Sequence, residues 1–455
     1  MSRKIYTILS LLLVAAFALS ACGAPATPAA TQAPATQAPA TLAPATEAPT
    51  ATEAPAQKVT VKWWHISTAE NHKALFQKFA DDYMKAHPNV TIEITVLENE
   101  AFKTKLTTVM QSGEPPDIFQ SWGGGVMNDY ANAGLLQDIT PALDADGGAW
   151  RNTFATGALG VYSYKGKNYG VPWDMGMIGF WYNKELFTKA GIANPPTTWT
   201  EFIADVKALK AAGITPIALG EGDKWPGMHM WAYLATRLGG KANFEGAYNR
   251  TGSFTDAPFV DAGKKLQELI ALQPFQKGFL AATYGDEATA MGNGKAAMEL
   301  MGQWAPAVEK DNSADKKGLG DKLGFFPFPM VEGGKGDPAD AVGGGNGFAI
   351  GKNASPEAID FVKFMTSAEN QAALAKIGVA IPVVKGGEAG LSDPQMITVQ
   401  KTFAAAQYFQ LYYDQALPAA MGSVVNDSTQ GIFAGTLTPE QAAQAIEDSA
   451  AAELK

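Results

Sequence analysis

The residue types able to do chemistry are unevenly spread along this 455-residue chain. All ten Trp fall after residue 62, whereas Arg occurs there only as Arg151, Arg237 and Arg250. Arg is the usual fork for phosphate and carboxylate ligands. Many indoles with few guanidinium groups favour a neutral ligand with flat apolar faces, and a sugar ring fits. A single Trp is nonetheless more often core than contact. Trp63, Trp181, Trp199 and Trp231 are accordingly expected in the core.

Other chemistries find little support. The sole cysteine is Cys22, so disulfides and thiolate metal sites are excluded from the rest of the chain. The four His, at 65, 72, 87 and 229, form no HExxH pair, and no GxSxG elbow, P-loop or GxGxxG loop occurs. Asp144-Ala145-Asp146-Gly147 hints at a calcium loop, but the twelfth position would be Ala155 rather than Glu, so it reads as a turn. A net charge of −10 argues against nucleic acid as a partner. No metal or cofactor is expected.

The elements that must position candidate contacts follow from periodicity. Residues 59–64 alternate as a strand, with Val59, Val61 and Trp63 on one face. A helix should follow, started by a Ser67–Glu70 capping box. Residues 90–96 alternate again, another helix carries Phe102 and Leu106, and 117–122 returns to strand. This order implies a parallel sheet flanked by helices, with ligands beyond the carboxyl ends of its strands. Trp64, His65, Gln120 and Trp122 lie at those ends. Helices are expected over 201–212, 261–272 and 287–291, again from 355, and over 439–454 after Thr438. Trp225 falls in a Gly- and Pro-rich stretch read as a loop, where a large aromatic is more often functional. Gly344, Gly345 and Asn346 could bring backbone N–H groups close to a ligand.

The amino terminus reads as an export signal. Arg3 and Lys4 precede an apolar run, Ile5 to Leu19, that is short for a bilayer span. Leu19-Ser20-Ala21-Cys22 looks like a lipobox, in which the thiol takes a lipid. Residues 1–21 are thus expected to be a lipoprotein signal peptide, and 22–57, built from Ala, Pro and Thr repeats, a disordered stalk.

Several segments, in order over 58–455, resemble one family: VTVKWWHIST (59–68), SGEPPDIFQSWGGG (112–125), YGVPWDMGMIGFWYNKELFTKAGI (169–192), PPTTWTEF (195–202), GNGKAAMELMGQWAP (292–306) and VGGGNGFAIGKN (342–353). Together they are similar to the family 1 extracellular solute-binding proteins of ABC importers, especially those for oligosaccharides. The resemblance implies an α/β fold of two periplasmic-binding-protein-like lobes joined by a hinge, each lobe a mostly parallel sheet flanked by helices. Matching segments suggest one lobe at about 58–176 plus 304–345 and the other at about 177–303 plus 346–455, with crossings near 175–179, 301–304 and 343–347. It also implies cleft positions for Trp173 and Asp174, the indole stacking on a sugar and the carboxylate taking hydroxyl hydrogens. Trp304 would be a cleft aromatic, with Gln303 beside it offering an amide, and Asp414 an acidic cleft residue. The function implied is a monomeric receptor that closes on a carbohydrate and delivers it to membrane permease subunits. It would be held by a lipid on Cys22 at the outer face of the cytoplasmic membrane. A secreted glycoside hydrolase, needing two carboxylates about 5–10 Å apart, is the rival reading. The same fold with a polyol, glycerol phosphodiester or peptide as cargo is another.

Overall fold

The computed structural model describes residues 57–454. The expected signal peptide, Cys22 and all of the stalk but its last residue lie outside the described residues. The chain opens by alternating strand and helix: β1 (Val59–His65), α1 (Glu70–Ala86), β2 (Val90–Val96), α2 (Asn99–Gln111), β3 (Ile118–Ser121) and α3 (Gly124–Asn132). β1 lies between β2 and β3 and runs parallel to both. Val61, Trp63 and His65 are buried while Thr60 and Lys62 are exposed, so the period of two decides which face meets the core. α1 buries His72, Phe76, Phe79, Ala80 and Tyr83, a helical stripe. Its start departs from expectation. The N-cap position is Ala69, not Ser67, and no neighbouring side chain caps it.

β4 (Gly170–Met177) ends the first passage, and β5 (Gly179–Asn183) begins a second sheet two residues later. There follow α4 (Trp199–Ala211), β6 (Thr215–Ile217), α5 (Trp225–Tyr248), α6 (Ala257–Ala271), α7 (Tyr284–Gly292), β7 (Ala296–Met301), α8 (Ala305–Asn312) and β8 (Leu323–Phe326). This sheet has the order β8-β5-β7-β6. The chain then runs through β9 (Ala341–Ile350), α9 (Pro356–Met365), α10 (Ala368–Lys376), α11 (Pro394–Ala404), β10 (Phe409–Leu411), α12 (Ala419–Phe433) and α13 (Pro439–Glu453). β9 joins the first sheet, antiparallel to β3 and β4 and parallel to β10.

The result is a two-lobe α/β protein. Only part of it keeps the expected parallel pairing. In the second sheet β5 is antiparallel to both β7 and β8, and only β6–β7 is parallel.

Two apolar cores mark the lobes. One joins Trp63, Phe76, Ile118 and Val171 to Phe348, Phe361 and Met365. The other joins Phe180, Trp199, Trp231 and Leu266 to Met421, Val425 and Ile446. This differs from the partition expected from matching segments. Residues 304–340 stay with the second lobe, because β8 pairs with β5. Residues 346–384 belong with the first, and only from Tyr412 onward does the tail join the second. The crossings are at Ile178, along β9 and just after β10. None occurs at 301–304. Gly302 there serves local packing, since a Cβ would lie 2.1 Å from the Trp304 ring. A third cluster, including Met177, Trp181, Met301, Ile381 and Met396, fills the junction, where the Gln395 amide of α11 donates to Leu323 O at 2.7 Å.

Candidate functional site: the cleft between the lobes

Between the lobes lies a cleft of about 1210 Å³. That is at or above the usual range for a small-molecule pocket, about 300–1,000 Å³, and has room for more than one sugar ring. The first lobe supplies His72, Trp122, Trp173 and the α2 end with Glu100 and Lys103. The second supplies Trp225, His229, Tyr284, Trp304, Tyr412 and Asp414.

Six of the thirteen candidates named from sequence line this space: Trp122, Trp173, Trp225, Trp304, Asn346 and Asp414. Trp173 is buried in β4, nearly parallel to Phe348 at 6.2 Å and edge-on to His72 at 5.1 Å. Its indole Nε1 has no protein acceptor, and neither does that of Trp225. Trp225 is not on a loop as expected. It opens α5, which Pro226 helps to start, and packs edge-on against Tyr284 and His229. Trp304 stands half-buried just before α8, edge-on to Tyr412 at 6.5 Å. Asp414 accepts weakly from the Asn426 amide, at 3.4 Å.

The other seven do not line the cleft. His65 points into the first core against Trp63 and Phe76, and its Nδ1 accepts from Ser67 N–H. Trp64 lies on the opposite face of β1 under Lys105, whose Nζ is 4.4 Å from the ring centre. Asp174 corrects the expectation most clearly. Its carboxylate is fully buried and already occupied: Oδ1 accepts from Ile381 N–H at 2.7 Å, and Oδ2 from the amides of Gln303 at 2.5 Å and Asn346 at 3.0 Å. Gln120 donates in turn to Asn346 Oδ1 at 2.8 Å. Gln120, Asn346, Asp174 and Gln303 thus form one polar network at the hinge. Burial pushes the Asp174 pKa up to about 6, against the pull of these donors. Gly344 and Gly345 are paired within β9 to Gly176 and Met175, so their backbone belongs to the sheet. Their use is clearance. A Cβ on Gly344 would meet the Tyr412 ring at 2.1 Å, so glycine lets that ring lie on the strand.

Sequence reasoning missed His72, His229, Tyr284 and Tyr412. His72 is one helical turn before Phe76, so the apolar stripe of α1 was a usable signal. Tyr412 stacks on His229 at 5.4 Å, and its hydroxyl has no protein partner. His72 Nε2 and His229 Nδ1 are likewise unpartnered. Burial holds both imidazoles down at about 3, so they are neutral. The three Arg among the described residues are engaged elsewhere: Arg151 with Asp144, Arg250 with Glu447, and Arg237 with the carbonyls of Phe328, Pro329, Asp337 and Asp340. Of the four cleft lysines, Lys73 and Lys103 are paired with Glu70 and Glu100, and Lys316 donates to the Asp311 carbonyl.

Behind the second-lobe wall sit four buried acids: Glu221, Glu287 on α7, Glu299 on β7 and Glu309 on α8. Glu287 accepts from Gly220 N–H at 2.6 Å. The carboxyl oxygens of Glu299 and Glu309 are buried and have no hydrogen-bond partner. Burial raises all four pKa values. Glu287 and Glu309 stand on α7 and α8, the helices that present Tyr284 and Trp304.

Two α/β lobes, a three-strand hinge and an aromatic cleft fed from both sides define the class: a two-lobe ligand-capture protein. Comparison places it further. Residues 69–372 match the family model for bacterial extracellular solute-binding protein, and the chain belongs to that family. It is 26% identical over 377 residues to a multiple sugar-binding protein of Streptococcus mutans, covering 79% of this chain and 84% of the relative. Among solved structures it is similar to one from work on xylan utilization by Caldanaerobius polysaccharolyticus, with TM-score 0.80, 31% identity and coverage of 86% and 99% of the two chains. A chitin oligosaccharide binding protein is also similar, with TM-score 0.80, 29% identity and coverage of 87% and 99%.

Proposed function

We propose that this protein is the receptor of an ABC importer that captures an uncharged oligosaccharide between its lobes and hands it to membrane permease subunits. One observation carries the reading. Aromatic side chains enter the cleft from both lobes, and Trp173, Trp225, His72, His229 and Tyr412 each keep an unpartnered polar atom beside an apolar ring. A sugar offers the complement: C–H faces for rings and hydroxyls for donors and acceptors. Closure is favoured because the ligand touches both walls together and each wall alone less well. Four of the six cleft acids are engaged by neighbouring donors, which suits binding rather than acid–base work: Glu70 and Glu100 by lysines, Asp223 by Tyr284 N–H, Asp311 by Glu70 N–H. A lipid on Cys22, with 22–57 as tether, would hold the receptor at the outer face of the membrane.

The test is a thermal-shift panel on the full chain with mono-, di- and trisaccharides, including chito- and xylo-oligosaccharides. At a hundredfold excess over Kd a true ligand stabilises by about 2.7 kcal/mol. A rise with one oligosaccharide series and no new reducing ends on incubation is the expected result. A flat response to every sugar, with a rise from a polyol, phosphodiester or peptide, overturns the sugar assignment.

A further inference from the structure

Two helices on opposite lobes begin without a cap of their own. α1 starts after Ala69 and α12 after Pro418, and neither residue has a side-chain acceptor. Among the helices named above, five are capped locally, α4 by Thr198, α7 by Thr283, α10 by Ser367, α11 by Asp393 and α13 by Thr438, while α2, α3, α5, α6, α8 and α9 also lack a side-chain cap at the N-cap residue. The first N–H groups of a helix need an acceptor from somewhere. For α1 and α12 it comes from across the cleft. Asp311 Oδ2, at the end of α8 in the second lobe, accepts from Glu70 N–H at 2.7 Å. Asp129 Oδ2, on α3 in the first lobe, accepts from Ala419 N–H at 2.8 Å.

We propose that Asp311 and Asp129 are positioning residues for ligand capture, each capping a helix of the opposite lobe and so favouring the closed arrangement. Their surroundings give them different tasks. Asp129 works beside a tight contact, where a Cβ on Gly124 or Gly125 would strike the backbone of Gln415 or Leu417 at 2.4 and 2.3 Å. It clamps α3 against the segment that follows hinge strand β10. Asp311 and Glu70 both line the cleft itself. Their bond therefore ties the two walls together across it. α8 connects this latch to the ligand, since Trp304 stands at its start and Asp311 near its end. A ligand that draws in Trp304 brings Asp311 toward α1 by the same movement. The attraction includes the partial positive charge at a helix start, which favours a carboxylate and is screened by salt.

The test needs no ligand, so it stands apart from the sugar assignment. Full-length Cys22→Ser protein carrying Glu93→Cys and Lys207→Cys, both exposed and on different lobes, is labelled and the interlobe distance distribution measured. Adding Asp311→Ala should move the closed-to-open ratio about fivefold toward open, the usual effect of losing a cap. Asp311→Asn keeps a capping oxygen and should restore the ratio, and Asp129→Ala should open the lobes in the same direction. A purely local role would lower the thermal midpoint without moving the distances. An unchanged distribution in Asp311→Ala, or equal opening in the Asn variant, overturns the proposal.

Discussion

At the scale of single residues, the cleft separates contact from support. Trp304 is half-buried and stands at the start of α8 rather than inside an element, so Trp304→Ala should keep the fold by circular dichroism. It should lose about tenfold or more in affinity for whichever sugar gives the largest midpoint rise, as anchor aromatics do. Trp173 is different, since its ring also packs on Phe348, Phe76 and His72. Truncating it to Ala would cost about 3–5 kcal/mol of stability, so Trp173→Phe is the informative change. The buried ionisable groups predict a pH response. The four buried Glu fold as acids with raised pKa values, so their contribution is full below the ordinary carboxyl pKa of 4.5 and is lost as pH rises through the raised values. The neutral His65, His72 and His229, held at about 3, act oppositely, but only below their ordinary 6.5. Above pH 6.5 the midpoint should therefore fall with rising pH. Glu309→Gln, which removes one of these titrating carboxyls, should reduce that fall by about 1–3 °C. An unaltered slope in the variant would show that Glu309 is not among the titrating acids.

At the scale of elements, the hinge is three strands, β4, β9 and β10, packed by glycine. Gly176 faces the Gln303 amide and Gly344 faces Tyr412, each with no room for a methyl group. Gly344→Ala should cost about 1–3 kcal/mol by overpacking, and should also tilt Tyr412 and weaken ligand binding. Denaturant melts and ligand titration of the same variant check both effects. The glycine run at 343–345 was legible as a special place in the sequence, but its purpose was not. Backbone N–H groups free for a ligand and backbone committed to a ladder look alike until the pairing partners are known. The Asp174 network is similar. Its acid and amides come from positions 120, 174, 303 and 346, and only the fold brings them together.

At the scale of the whole molecule, the proposed lipid on Cys22 and a tether over 22–57 would hold the receptor near its transporter at high effective concentration. Cys22→Ser should move the protein from the membrane fraction to the medium or periplasm while leaving the ligand-induced midpoint rise unchanged. Retention of the variant on membranes would remove the lipid assignment.

What the sequence determined by itself was local. The period of two in 59–64, the apolar stripe of α1, the Thr438 cap and the core Trp residues were readable, because each depends on neighbours within a few positions. The family resemblance carried the two-lobe plan and the cleft places of Trp173 and Trp304. Tertiary structure alone decided which lobe owns 304–340 and 346–384, since strand pairing is a choice among distant partners that no local pattern encodes. It also decided that Asp174 holds the hinge rather than a ligand, and that two helices receive their caps from the other lobe. In each case the deciding interaction joins residues more than a hundred positions apart.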